Sequence, residues 1–485
     1  MSSSAHFPNP ENFELQSRDL ISWLHVCPGV RINPKINLAD LRSKGAGRGL
    51  VAGANIAEGE ELFSIPRSII LSVENSGLKS LLLQNELEAL GPWLSLMLVM
   101  IYEYSQDAAS NWKLYLSMMP NRFDTLMFWS PDELRELQAS AIVDKIGKQS
   151  ADESILQKIL PIVRANPQLF PAIKGPADYA GDAGAVALLQ LAHGMGSLIM
   201  AYAFDIEKVE DDEGDDEGEN EDENYETDDE DEQLPKGMVP LADLLNADAD
   251  RNNARLYQEG DSFVMKAIKH VQQGEEIFND YGEIPRADLL RRYGYVTDNY
   301  AQFDVIELSI RDVCQVAGLQ DDHGQPRLDL LEKHDVLEDG YVIPRPLANA
   351  TLENIIPAEL VLLLTVLTQT PEDFEERRAK NKLPKRVALD VNQAGLLYKV
   401  LQVKQAQYGT SIAHDIHLLS GLLPPNAPEA LEGTPRRLKM ALQVRIGEKE
   451  VLQAIMSMLE PLIGNSSKRA NDDSEDSRPS KTSRA

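Results

Sequence analysis

The chain has 485 residues, 43% hydrophobic and 26% charged, a composition that predicts a globular protein with more than one domain. Two cysteines, Cys27 and Cys314, and eight scattered histidines exclude a cysteine-based zinc cluster and argue against a metal enzyme. The net charge of −31 disfavours direct binding to DNA, because a polyanion would be repelled.

The N-terminal part of the chain shows a polar tail and then the first element. Residues 1–18 are predicted to be a disordered tail, with neither the basic start nor the apolar core of a secretory signal. Apolar residues in 19–28 predict a short helix. Glycines and short apolar runs in 36–72 predict strands, among them Gly49–Ala52 and Glu61–Ile65.

The stretch from about 75 to 205 is predicted to be a helical insertion. Its densely apolar runs favour buried helices, and Ser130-Pro131-Asp132-Glu133 is a typical helix start. No apolar run is long and uninterrupted enough to predict a membrane span.

An acidic loop is predicted at 207–235, where 17 of the 23 residues in 210–232 are Asp or Glu. Such a run repels itself and cannot bury a core, so it is predicted to be disordered. It is either a solvated spacer or an electrostatic lure for a basic partner, such as a ribosomal protein or a histone.

Short apolar runs separated by turn residues return in 238–283 and predict strands, with a hairpin around Glu259-Gly260-Asp261. A domain at 19–300 therefore has strands at both ends of a helical insertion. Residues 305–463 predict a second, all-helical domain, and 465–485 a disordered tail. The predicted fold class is α+β.

Three separated segments carry the chemistry. The first is the glycine turn Ala46-Gly47-Arg48-Gly49, which lacks the G-x-G-x-x-G pattern of a dinucleotide site. The second is Leu241–Asp248 (LADLLNAD), and the third is Glu275–Gly282 (EEIFNDYG), followed by LLRRYGYV. Each alone could be an ordinary turn or strand end, so the order of the three is the informative feature.

That order resembles the SET-domain protein-lysine N-methyltransferases, and more narrowly the Rubisco-methyltransferase-like class. Within this class the sequences of residues 240–254 and 289–296 are most similar to those of the fungal ribosomal lysine methyltransferases. The resemblance covers residues 20–465 and implies a SET fold with a helical insertion, followed by a helical domain that binds the protein substrate. It also implies a monomer that uses S-adenosylmethionine (SAM), without a metal, membrane or nucleic-acid partner, in the nucleus or also in the cytoplasm.

The resemblance assigns site residues position by position. Tyr281 would be the active-site tyrosine, orienting the substrate amine toward the methyl group. The residues expected to hold SAM are Ala46, Gly47, Arg48, Gly49, Tyr202, Asn246, Ala247 and Tyr281. Those expected to line the lysine channel are Trp93, Asn279, Tyr293 and Tyr295.

Ala247 departs from the family pattern, because many SET proteins have histidine there. Three functions remain open; Ala247 supports only the second, and the acidic run 210–232 is the basis of the third. The first is an active lysine methyltransferase acting on a non-histone protein, with a large-subunit ribosomal protein as the expected substrate. The second is a SET-fold binding module with weak or no catalysis. The third is an acidic chaperone for basic proteins.

Overall fold

The computed structural model describes residues 12–41, 47–172, 178–207, 234–319, 324–384, 389–422 and 431–475, with side chains described as far as 464. Ala46, most of the predicted acidic loop (208–233) and the outer parts of both predicted tails lie outside these residues. The chain forms two compact units. The N-terminal unit comprises Met1–Trp129, Asp144–Glu283 and Asp288–Tyr295, and the C-terminal unit comprises Ser130–Val143, Ile284–Ala287 and Val296–Ala485.

The strands of the described residues are short. In chain order they are β1 (Arg31–Ile32), β2 (Ile36–Asp40), β3 (Arg48–Ala52), β4 (Glu61–Pro66), β5 (Leu71–Ser72), β6 (Ala203–Asp205), β7 (Lys236–Met238), β8 (Asn246–Ala247), β9 (Ala254–Glu259), β10 (Ser262–Ala267), β11 (Glu276–Asn279), β12 (Val305–Ser309) and β13 (Gly340–Pro344).

The helices make up most of the remaining ordered chain. In chain order they are α1 (Phe13–Val26), α2 (Gln84–Glu88), α3 (Gly91–Gln106), α4 (Lys113–Leu116), α5 (Pro131–Arg135), α6 (Lys148–Ser154), α7 (Leu160–Ala165), α8 (Gly181–Tyr202), α9 (Arg286–Tyr293), α10 (Ile310–Ala317), α11 (Gln325–Glu332), α12 (Leu352–Ile355), α13 (Ala358–Thr368), α14 (Pro371–Lys380), α15 (Val391–Gln407), α16 (Ile412–Leu422) and α17 (Gly433–Glu475). The predicted α+β class is confirmed.

Three small sheets organise the N-terminal unit, with strand orders β1-β4-β10-β9, β2-β3-β11-β8 and β5-β7-β6. The predicted hairpin is present as β9–β10, and Gly260 at its turn has φ +53°, a conformation that glycine adopts without strain. Strands that precede the helical insertion in the sequence thus pair with strands that follow it. Their inner faces share one apolar core with α3 and α8.

Helix α1 begins at Phe13, within the segment that the sequence predicts to be a disordered tail. The reason is tertiary: Phe13 is 2% exposed, and the Arg48 guanidinium carbon lies 3.7 Å from the centre of its ring. Arg48 also donates hydrogen bonds to Gln16 and Ser17 of the same helix. The prediction for residues 13–18 was therefore wrong.

Helix α8 is long and apolar enough to span a bilayer by length and composition, although no such span is predicted from the sequence. Its position explains the composition, because it packs against α3 and contributes Leu188, Leu198 and Ile199 to the core. The sequence prediction extends this helix to 205, but it ends at Tyr202. Residues 203–205 instead form β6, which pairs with β7.

The C-terminal unit has its own apolar core, to which β12, β13, helices α10–α15 and α17 contribute. The helix start predicted at Ser130 forms a capping box with Glu133 and opens α5, and Thr370 caps α14. Helix α17 runs through residue 475, so the prediction of a disordered tail was wrong for residues 465–475, and the remainder of that tail lies outside the described residues.

Candidate active site

The three sequence segments meet on adjacent strands of one sheet. Strand β11 pairs antiparallel with β3, so that Ile277 lies opposite Leu50. On its other side β11 pairs in parallel with β8, so that Asn279 lies opposite Ala247. The order β3-β11-β8 therefore places the glycine turn, the D-L-L-N segment and the E-I-F-N-D-Y-G segment side by side.

Gly49 lies where these strands approach most closely. A Cβ atom on Gly49 would lie 2.5 Å from Leu41 Cδ1 and 3.0 Å from both Asn246 Nδ2 and Glu276 Oε1. The Asn246 side-chain amide donates to the Arg48 carbonyl oxygen at 3.2 Å and to Glu276 Oε1 at 2.7 Å. A side chain at position 49 would therefore push the Asn246 amide out of place.

A small cavity of about 70 Å³ opens at this junction. It lies among the predicted cofactor residues and next to residues 118–120, which the sequence does not mark as part of a site. Its lining residues are Gly47, Arg48, Met118, Met119, Pro120, Tyr202, Asp243, Leu244, Leu245, Asn246, Ala247, Tyr281, Tyr293 and Tyr295.

A second cavity of about 480 Å³ lies next to the small one. Its walls come from the end of α8, from β6, β9 and β10, and from Asn279–Gly282. Four residues line both cavities and so form the partition between them: Tyr202, Asp243, Tyr281 and Tyr293. This group is called the partition below.

The partition tyrosines are partly buried, and the rings of two of them are stacked. The rings of Tyr281 and Tyr293 lie 4.3 Å apart at 11°, and Tyr295 packs against Tyr293 at 6.3 Å. Burial raises the pKa of Tyr293 to about 12. Burial and then the nearby Asp243 raise the pKa of Tyr202 above its ordinary value. The phenols of Tyr202 and Tyr293 are therefore neutral near pH 7 and can orient a polar group without carrying charge.

Gly294 fixes the position of the tyrosines on either side of it. Its φ is +72°, and a Cβ atom there would lie 2.9 Å from the backbone nitrogen of Thr125 and 3.0 Å from the carbonyl carbon of Asp124. Only glycine meets both demands without strain. The Y-G-Y sequence is thus a backbone requirement as well as a pair of aromatic side chains.

Asp243 belongs to the segment Leu241–Asp248 but is not among the site residues predicted from the sequence. Its carboxyl is buried and accepts a hydrogen bond from the hydroxyl of the fully buried Tyr115. Burial raises the pKa of Asp243 to about 7, and the Tyr115 hydroxyl and the backbone amides of Asp243 and Leu241 offset only part of that rise. Leu241, two residues before it, has φ +81°, a strained conformation of the kind that clusters at functional sites.

The structure brings most of the predicted site residues together. The described cofactor residues line the small cavity, apart from Gly49, which supports it from β3. Asn279 lines the larger cavity, Tyr293 lines both, and Tyr295 lines only the small one. Trp93 lines neither cavity and packs from α3 against the apolar core, so this structure gives its predicted place in the lysine channel no support.

Comparison with known families adds a second line of support. Residues 47–282 match the family model of the SET domain, and residues 319–452 match that of the Rubisco LSMT substrate-binding domain. The chain is 30% identical over 311 residues to ribosomal lysine N-methyltransferase 4 of Saccharomyces cerevisiae, an alignment that covers 63% of this chain and 60% of the yeast protein. It is 28% identical to N-lysine methyltransferase SETD6 of Mus musculus, an alignment that covers 89% of this chain and 88% of the mouse protein.

The chain belongs to the SET-domain protein-lysine N-methyltransferases. Among solved structures, this SET-domain methyltransferase is similar to Rubisco LSMT bound to sinefungin and monomethyllysine, with a TM-score of 0.65 and 21% identity, covering 96% of this chain and 97% of that one. Rubisco LSMT bound to AdoMet gives a TM-score of 0.63 at the same identity. These similarities confirm the SET fold predicted from the sequence.

Proposed function

We propose that the protein transfers a methyl group from SAM, held in the small cavity, to a lysine of a basic protein that enters through the larger one. The observation that carries the proposal is the partition, because an in-line transfer needs donor and acceptor on opposite sides of one narrow opening. Tyr281, two residues after the end of β11, is part of that partition.

The residues around the small cavity fit the amino-acid end and the positively charged centre of SAM, and at about 70 Å³ the cavity would enclose only that part of the molecule. Gly47 and Arg48 offer backbone groups at one wall, and Asn246 offers a side-chain amide at another. Asp243 adds a buried carboxyl at the partition. When bound, SAM supplies an activated methyl group on a sulfonium centre.

The larger cavity suits a lysine that must react as a neutral amine. Only roughly one lysine in a few thousand is unprotonated at neutral pH, given a reference pKa near 10.4. Withdrawal of the ammonium from water lowers its pKa and favours the neutral form. Tyr281 and Asn279, which both line this cavity, would orient the amine lone pair toward the partition.

We further propose that the substrate is a large-subunit ribosomal protein and that the C-terminal unit binds it. The similarity to the yeast ribosomal lysine methyltransferase and the match of residues 319–452 to a substrate-binding domain support this choice. A net charge of −31 also favours a basic protein as partner.

The test is a transfer assay with methyl-labelled SAM and purified large-subunit ribosomal proteins, followed by mass spectrometry of the labelled band. We expect label on one lysine with the wild-type protein and a loss of about a hundredfold or more in kcat with Tyr281→Phe. The matched control is Tyr257→Phe, because Tyr257 lies on β9, is 38% exposed and lines neither cavity. Label on other proteins of a cell extract but on no ribosomal protein would remove the substrate proposal alone. SAM binding with no transfer to any protein would support the non-catalytic binding module instead.

A further inference from the structure

Asp243 is a buried carboxyl without a countercharge. Its Oδ2 atom accepts the Tyr115 hydrogen bond, whereas Oδ1 has no hydrogen-bond partner among the described residues. The backbone amides of Asp243 and Leu241 lower the pKa of the carboxyl without forming a hydrogen bond of ordinary geometry to Oδ1. No described lysine, arginine or histidine forms an ion pair with it or stabilises its charge. A buried anion of this kind is costly unless a cation is brought to it.

Its surroundings are phenolic. Tyr115 from α4 and Tyr202 from α8 face the carboxyl, and both have pKa values above the ordinary range because of burial and of Asp243 itself. Tyr281 and Tyr293 complete the partition. The group that can change charge here near neutral pH is therefore Asp243.

The charged groups on the cavity walls have partners elsewhere. In the larger cavity Arg255 pairs with Asp280, and Asp205 pairs with Lys236. In the small cavity the Arg48 side chain is directed toward α1. None of these charges is placed to neutralise Asp243.

The two forms of the cofactor differ in charge at one atom. SAM has a sulfonium centre, and the product S-adenosylhomocysteine (SAH) has a neutral thioether, while both share the amino-acid and adenosine groups. An opposite charge within about 4–6 Å lowers the pKa of a carboxyl by about 1–3 units. By linkage the same interaction strengthens binding of the cation by about ten- to a thousandfold when the carboxyl is ionised.

We propose that Asp243 is a charge-sensing residue that makes the small cavity prefer SAM over SAH. This inference rests on the proposed function, because it requires SAM to bind in that cavity. A cation at the partition favours the ionised carboxyl, and a neutral thioether does not. Asp243 would thereby help to release the product after each transfer.

The sign of the pH dependence follows from the raised pKa. Above about pH 7 the carboxyl of the free protein is ionised, so SAM binds without proton release. Below that pH the carboxyl is protonated, and SAM must displace the proton, which weakens SAM binding by up to tenfold for each pH unit. SAH binding has no such dependence, since it does not require the ionised form.

The experiment measures dissociation constants of SAM, SAH and sinefungin by calorimetry at pH 6, 7 and 8, without any protein substrate. Sinefungin has an amine in place of the sulfonium methyl group and so separates charge from methyl contacts. For the wild-type protein we expect the preference for SAM and sinefungin over SAH to rise from pH 6 to pH 8. Near pH 6.5 we expect SAM binding to release protons, measured as a dependence of the binding enthalpy on the ionisation enthalpy of the buffer.

Asp243→Asn keeps the size of the side chain and removes its charge. We expect it to lower the SAM-to-SAH preference at pH 8 about tenfold or more, to remove proton release, and to leave SAH affinity within about threefold. Tyr115→Phe removes the hydrogen bond to Oδ2, so we expect the pH midpoint of SAM binding to move upward. It also gives a second test should the asparagine variant not fold.

An unchanged preference in Asp243→Asn, or a wild-type preference that does not vary between pH 6 and pH 8, would overturn the inference. Failure of the proposed function is distinguishable from this: absence of a SAM site would appear as no binding of either SAM or SAH, and absence of catalysis would appear only in the transfer assay. If Asp243→Asn lost the preference for SAM over SAH but kept the preference for sinefungin over SAH, the inference would also be contradicted, since methyl contacts rather than charge would then be responsible.

Discussion

Gly294→Ala should destabilise the N-terminal unit more than an alanine at any left-handed glycine that has free space around it. The left-handed conformation at φ +72° costs a non-glycine residue about 1–2 kcal/mol. The new Cβ atom would also lie 2.9 Å from Thr125 N and 3.0 Å from Asp124 C, and relief of such crowding against backbone costs about 1–3 kcal/mol. We therefore expect a loss of about 2–5 kcal/mol.

The chain offers a matched control for this experiment. Gly282 has the same φ of +72°, but a Cβ atom there would meet nothing within 4 Å. Gly282→Ala should therefore lose only the conformational part, about 1–2 kcal/mol. The difference between the two variants isolates the contact with residues 124 and 125.

Urea denaturation followed by tryptophan fluorescence measures the effect. The four tryptophans all lie in the N-terminal unit, so their emission reports its unfolding: Trp23, Trp93, Trp112 and Trp129. With a slope of about 2–3 kcal/mol per molar, Gly294→Ala should lower the urea midpoint by about 1–2 M. Equal midpoints for the two alanine variants would refute the reasoning from the close backbone contact.

Two further variants test the sheet junction and the C-terminal unit. Gly49→Ala should weaken SAM binding at least tenfold in calorimetry by displacing the Asn246 amide, and a dissociation constant within twofold of the wild type would contradict this geometry. Asp415→Asn should destabilise the C-terminal unit by about 3–5 kcal/mol, because the buried Asp415 accepts hydrogen bonds from Arg445 and Lys449. Burial opposes ionisation of Asp415, but those hydrogen bonds and that of Thr410 outweigh it and hold its pKa below the ordinary value. The wild-type protein should therefore lose the stability from this group as pH falls below about 4, and the variant should not; identical acid denaturation curves measured by circular dichroism would count against this.

The strands and motifs of the N-terminal unit were predictable because local sequence determines them. Glycines at turns and short apolar runs predicted the bounds of β3 and β4 to within one residue, and they predicted the turn of the β9–β10 hairpin. Three motifs in a fixed order then indicated a common site. The pairing of β11 with both β3 and β8 explains physically why that order matters.

Other features depend on tertiary contacts that have no local signal. Phe13 starts a helix because Arg48, which is 35 residues away, covers its ring. Trp93 resembles a channel residue in sequence, but the direction of α3 places it against the core. The Tyr115–Asp243 hydrogen bond joins residues that are 128 positions apart. Nothing in the sequence around Tyr115 distinguishes this residue from an ordinary core tyrosine.

The two cavities and their partition exist only when distant parts of the chain are folded together. The partition takes Tyr202 from the end of α8, Asp243 from the turn before β8, Tyr281 from the end of β11 and Tyr293 from α9. A variant anywhere in this unit can therefore lower activity simply by lowering stability. Activity lost at an unchanged fluorescence midpoint reports on chemistry at the partition, whereas activity lost together with the midpoint reports on the fold. The role of Asp243 is testable for this reason, since a change of charge at constant side-chain size should alter the preference between two ligands that the same folded cavity binds.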